Sequence, residues 1–103
     1  MLTVAGGKFS GSGAVAANLA LPGNGQRLTV YFASDGVLAA NSLTVDRVTP
    51  EGNTYRLFEH NFATTNAQYV SFDDYWTLLK GDQVDVNLSA GGDWTLELIA
   101  SQE

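Results

Sequence analysis

The chain contains no cysteine. That excludes disulfides, thiolate nucleophiles and thiolate metal sites, and it leaves the compartment open. Histidine occurs once, at His60, and there are five basic residues: Lys8, Arg27, Arg47, Arg56 and Lys80. They are dispersed, so no basic stripe exists to neutralise phosphates, and nucleic acid is not an expected partner. The net charge of −6 disfavours anionic membranes as well. No apolar run approaches the ~20 residues that span a bilayer as a helix. The opening MLTVAGGKFSGSGAVAANLALP lacks a basic n-region, and Gly and Ser interrupt its apolar residues, so no secretory signal is expected. Proline is scarce too. Pro22 and Pro50 both fall in turn contexts, where a missing N–H costs no ladder bond.

What is present reads as a globular β protein. Hydrophobic residues make up 45% of the chain and charged ones 16%, far from a disordered composition. A length of 103 residues corresponds to one domain, 1–103. No window carries the apolar stripe and cap of an amphipathic helix. Alternation with period two recurs instead. Leu28, Val30 and Phe32 share one face of RLTVYFA, with Thr29 and Tyr31 on the other. Leu43 and Val45 oppose Thr44 and Asp46. Tyr55, Leu57 and Glu59 oppose Arg56, Phe58 and His60. Turn chemistry separates the runs at Pro22–Gly25, Ser34–Gly36, Thr49–Gly52, Lys80–Asp82 and Ala90–Asp93. About eight strands at roughly 8–12-residue spacing predict an all-β chain forming a single antiparallel β-sandwich. Residues 1–20, rich in Gly and Ala, fit an edge strand or an extended N-terminal arm.

The clearest pattern is LLKGDQVDVNLSAGGDWTLELIA, Leu78 to Ala100. Val84, Val86 and Leu88 point one way, and after SAGG so do Trp94, Leu96 and Leu98. Two alternating runs joined by a glycine-containing loop predict an antiparallel hairpin with these six side chains in one buried layer. Asp85 and Glu97 then face outward, Asp82 and Asp93 become turn residues, and Ile99 interrupts the polar face, where a second subunit or a covering loop would meet it. On this reading Asp82→Ala and Asp85→Ala cost little.

Candidate chemistry is sparse. A triad needs a nucleophile, a histidine and an orienting carboxylate. His60 stands at a strand end with neither cysteine nor GxSxG elsewhere, so no catalytic residue is expected and the chain reads as a non-enzyme. One histidine and no HExxH spacing predict no zinc site. Asp73, Asp74, Asp82, Asp85 and Asp93 lack the DxDxDG spacing of a calcium loop, so neither metal nor cofactor is expected. Aromatics are the informative group. Tyr69, Phe72, Tyr75 and Trp76 crowd into QYVSFDDYW and are the candidate partner or ligand surface, since exposed Tyr and Trp stack on sugars and anchor protein interfaces. The competing reading puts Phe72 and Trp76 in the core, rimmed by Tyr69 and Tyr75.

The run Asn53-Thr54-Tyr55-Arg56-Leu57-Phe58-Glu59-His60, then Leu78-Leu79-Lys80-Gly81-Asp82-Gln83-Val84-Asp85-Val86, then a closing strand Trp94 to Ala100, resembles small β-sandwich virion proteins of tailed bacteriophages. The same closing pattern resembles the jelly-roll heads of the C1q and tumour-necrosis-factor type, which trimerise. The resemblance covers Tyr55 to Leu98, and no functional residues transfer with it. It implies a jelly-roll-like sandwich and a structural virion protein. The expected role is a capsid decoration (cement) protein that bridges and stabilises capsid subunits, or a tail- or fibre-associated protein. The expected partners are capsid or tail subunits and further copies of the chain, as a trimer or dimer. The expected location is the virion, assembled in the host cytoplasm. The alternative is a carbohydrate-binding sandwich that offers a glycan Tyr69, Tyr75 and Trp76 as a stacking platform.

Overall fold

A computed structural model describes residues 2–36, 41–63, 66–89 and 92–102. These form eight strands: β1 (Leu2–Ser12), β2 (Val15–Ala20), β3 (Gly25–Ser34), β4 (Ser42–Val48), β5 (Thr54–Asn61), β6 (Gln68–Leu78), β7 (Gln83–Leu88) and β8 (Asp93–Gln102). They build two four-stranded sheets, sheet A in the order β1-β8-β3-β6 and sheet B in the order β2-β7-β4-β5. Every pairing is antiparallel. The chain is an antiparallel β-sandwich, as its alternation predicts. Residues 2–20 supply an outer strand to each sheet, β1 to sheet A and β2 to sheet B.

The core lies between the sheets. Sheet A sends in Leu28, Val30, Phe32, Leu96 and Leu98, and sheet B sends in Leu43, Val45, Val84 and Val86, all buried. At the β5/β6 side Phe58 of sheet B stacks on Phe72 of sheet A with ring centroids 3.9 Å apart, and Trp76 meets Phe72 edge-on at 5.5 Å. These rings close the open side of the sandwich.

Two sequence expectations need correction. The β7–β8 segment is not a hairpin: β7 pairs with β2 and β4, and β8 pairs with β1 and β3. The six expected residues are buried, but Val84, Val86 and Leu88 face Trp94, Leu96 and Leu98 across the core instead of lying beside them. Alternation reports which side of a strand is buried; it carries no information on which sheet the strand joins. The loop between them includes Ala90 and Gly91, which lie outside the described residues. The second correction concerns β5. Its register shifts so that Val45 pairs with Phe58 while Asp46 pairs with Arg56. Leu57 is the extra residue of a β-bulge, which breaks strict alternation. Arg56 and Glu59 therefore share the outer face, where Arg56 Nη1 donates to Glu59 at 2.5 Å and Arg56 Nε donates to Asp46 at 2.5 Å.

Candidate functional site

Register places the outward side chains of sheet A in rows that cross all four strands. One row is Ser10–Thr95–Ala33–Tyr69, and the next is Lys8–Glu97–Tyr31–Ser71. Beyond them run Gly6–Ile99–Thr29–Asp73 and Thr3–Ser101–Arg27–Tyr75, in which Thr29 and Ser101 are buried. Three of the large exposed apolar side chains stand on this face: Tyr31 at 41% exposure, Tyr69 at 65% and Tyr75 at 59%. Ala33 and Thr95 are short, so a trough of about 330 Å³ opens between Tyr31 and Tyr69, with Lys8, Ser10 and Glu97 along it. Lys8 and Glu97 approach to 3.7 Å with the lysine almost wholly in solvent, so the pair is electrostatically weak.

The far end of the face is organised around Arg27. Its Nε donates to Asp73 Oδ1 at 2.6 Å and its Nη2 donates to Asp73 Oδ2, a two-point match of guanidinium and carboxylate. Thr29 Oγ1 donates to the same carboxylate at 3.0 Å. The Arg27 guanidinium carbon lies 5.3 Å from the Tyr75 ring centroid, within cation–π range. The Arg27 hydrogen bonds, with a smaller contribution from Thr29, hold the Asp73 carboxyl below the usual aspartate range despite partial desolvation. A folded-state value below the unfolded one means this contribution to stability is present above about pH 4. It is lost as pH falls through the folded value. In a carboxyl-carbon NMR titration Asp73 should titrate below the ordinary aspartates, and Arg27→Gln should bring it back among them. An unshifted Asp73 in the wild type would rule out the pairing.

The four aromatics named from the sequence do not make one surface. Tyr69 and Tyr75 point outward from sheet A, about 20 Å apart along β6 at strand rise. Phe72 and Trp76 are partly buried and pack on the core, Phe72 stacked on Phe58 and Trp76 edge-on to Phe72. A flat platform of Tyr69, Tyr75 and Trp76 is therefore unavailable. Its place is taken by Tyr31 and Tyr69, which the β3–β6 pairing brings onto neighbouring rows. The outward direction of Tyr31 was already visible in RLTVYFA; its neighbour needed the strand order.

The acids are distributed by structure. Asp82 is buried at 3% exposure, and its Oδ2 accepts from Arg47 Nε at 2.6 Å and from the Leu79 N–H at 2.9 Å. The expectation that it is a dispensable turn residue is thus corrected: its carboxylate ties the β6–β7 turn to β4. Asp93 begins β8, and its N–H donates to Asp35 Oδ1 at 2.8 Å. Asp85 lies on the outer side of sheet B, accepting from Gln83 Nε2 at 2.7 Å. His60 meets Phe62 edge-on at 4.8 Å. Among the described residues no three His, Cys, Asp or Glu side chains gather to hold a metal ion.

No protein-family model matches the sequence, and no curated protein sequence matches it. Solved structures do share the fold. The Eiger TNF of S. frugiperda superposes with a TM-score of 0.64 at 12% identity, covering 100% of this chain and 96% of that one. The fold is a jelly roll. Murine APRIL shares this jelly roll with a TM-score of 0.63 at 13% identity over 96% and 99% of the two chains. The module TmCBM61, solved with beta-1,4-galactotriose, gives 0.52 at 13% identity over 93% and 69%. At these identities the likeness is one of jelly-roll architecture.

Proposed function

We propose that this chain is a non-enzymatic structural protein that works by association, forming a homo-oligomer that seats on a larger particle. Its concrete setting is the tailed-phage virion, as a capsid decoration protein or a tail- or fibre-associated one. The observation that supports this reading is the placement of the exposed tyrosines. Tyr31, Tyr69 and Tyr75 spread over one sheet face, all three exposed. A spread aromatic face suits a macromolecular surface, where Tyr is an enriched anchor. The virion setting draws on the sequence resemblance from Tyr55 to Leu98. A protein that binds only the assembled shell stabilises it by mass action. Particles purified from the source that encodes the chain should carry it at a fixed ratio to the major shell or tail protein. Its absence from such particles would remove the virion setting.

A second reading is favoured by the trough alone. At about 330 Å³, bordered by Tyr31, Tyr69, Ser10, Thr95 and Glu97, it has the volume and hydroxyl-rich lining for a short glycan. Immobilised glycans should then retain the wild type but not a folded Tyr69→Ala variant. Retention that survives Tyr69→Ala would place the sugar elsewhere.

A further inference from the structure

We infer that the outer face of sheet A is the surface through which the chain binds a second copy of itself. The inference rests on the oligomeric reading above and names its interface. Charge placement carries it. The chain has 11 acidic and 5 basic residues. The four rows of the face hold two of each, Asp73 and Glu97 with Lys8 and Arg27. The face is neutral, and the remaining nine acids and three bases account for the whole net charge of −6. Two copies of a strongly anionic molecule repel wherever their acidic surfaces meet. They can approach at low electrostatic cost only through a neutral surface, and this one also carries three exposed tyrosines.

The opposite face shows the contrast. Outward positions of sheet B include Asn18, Asp85, Asp46 and Arg56 in one row and Asn87, Thr44 and Glu59 in the next. Among the described residues these rows are polar and charged, as a solvated surface should be; the exposed Tyr55 of β5 pairs with Arg47, in register with the buried Val84, and so lies on the other side of sheet B. Two further acids, Asp35 and Asp93, stand at the Tyr69 end of the sheet A face, and Asp74 is exposed on the edge strand β6. A neutral, tyrosine-bearing centre inside an acidic margin is the anatomy of an interface whose rim discourages other anionic partners.

Area is sufficient. Four strands about 4.8 Å apart and roughly eight residues of length give a face on the order of 500 Å² per copy. Two such faces reach about 1,000 Å², the lower bound of a specific interface. Tyr31 and Tyr69 would act as anchors, with the short Ala33 and Thr95 between them receiving a partner side chain.

Sedimentation velocity of the full chain at micromolar concentration tests the inference. The wild type should associate. Tyr31→Glu and Tyr69→Glu should each weaken association by more than about tenfold, while Asn18→Glu on sheet B should not. Added salt should leave association unchanged or strengthen it, because it screens the −6 carried outside the interface. Circular dichroism confirms that each variant is folded. A wild type that stays monomeric overturns both the interface and the oligomeric reading. An oligomer indifferent to both tyrosine changes overturns the interface and leaves the oligomer standing. A monomer that binds an immobilised glycan through Tyr69 assigns the face to the sugar instead.

Discussion

Trp94→Ala should lose about 3–5 kcal/mol of stability, and its effect should couple to a glycine on the neighbouring strand. Trp94 is the first inward residue of β8, at 9% exposure, and fills the end of the core where the chain has just changed sheets. Its register partner is Gly11 on β1. A Cβ at Gly11 would lie 2.9 Å from Trp94 Cζ2 and 3.2 Å from Cε2. The glycine is there because the indole occupies that space. Gly11→Ala alone should therefore cost about 1–3 kcal/mol through overpacking. In a Trp94→Ala background the same methyl enters a vacated volume, and the cost should vanish or reverse. A urea-denaturation cycle of wild type, both single variants and the double variant measures the coupling. Strict additivity would show that the two residues do not share the space.

That contact marks the boundary of what the sequence made legible. Burial was legible wherever alternation was strict: Leu28, Val30 and Phe32, Leu43 and Val45, and the six residues from Val84 to Leu98 are all in the core. Pairing was not. Among consecutive strands only β4 and β5 are hydrogen-bonded neighbours; every other connection changes sheet. Period two is a property of one strand and its solvent, so it is blind to that choice. The β5 bulge at Leu57 shows a second limit, since one inserted residue moves Arg56 and Glu59 onto a common face while the letters still alternate. The candidate surface was half legible for the same reasons. Tyr69 and Tyr75 were found through their crowding in QYVSFDDYW, whereas Tyr31 sits 38 residues earlier than Tyr69 and joins it only through the β3–β6 register. The neutrality of the sheet A face is a two-dimensional property. It emerges only when Lys8 is set beside Glu97 and Arg27 beside Asp73.

Asp82→Ala should cost about 3 kcal/mol, against a change of no more than about 0.5–1 kcal/mol for Asp85→Ala. Both residues belong to GDQVDV, and only packing separates them. Gly81 has φ +92°, a conformation that places little strain on glycine alone, and it turns the chain so that Asp82 points inward. The turn is held to the rest of the sandwich from several sides. Gly81 N–H donates to the Leu21 carbonyl at 2.9 Å, and Leu21 N–H donates to the Asp82 carbonyl at 2.9 Å. The Asp82 side chain then takes both the Leu79 N–H and Arg47 Nε. Alanine would leave the Leu79 N–H and the Arg47 guanidinium without their carboxylate. Arg47 keeps 23% side-chain exposure, so water relieves part of the penalty. The expected loss therefore stands at the low end for a broken buried pair. Asp82→Asn should fall between, about 1–2 kcal/mol, because the amide oxygen still accepts from one donor but brings no charge. Chemical denaturation orders the three variants. If Asp82→Ala proved as mild as Asp85→Ala, the GD pair would be a simple turn after all. If the order holds, the pair is a buried lock that joins β4, the β6–β7 turn and the segment leading into β3.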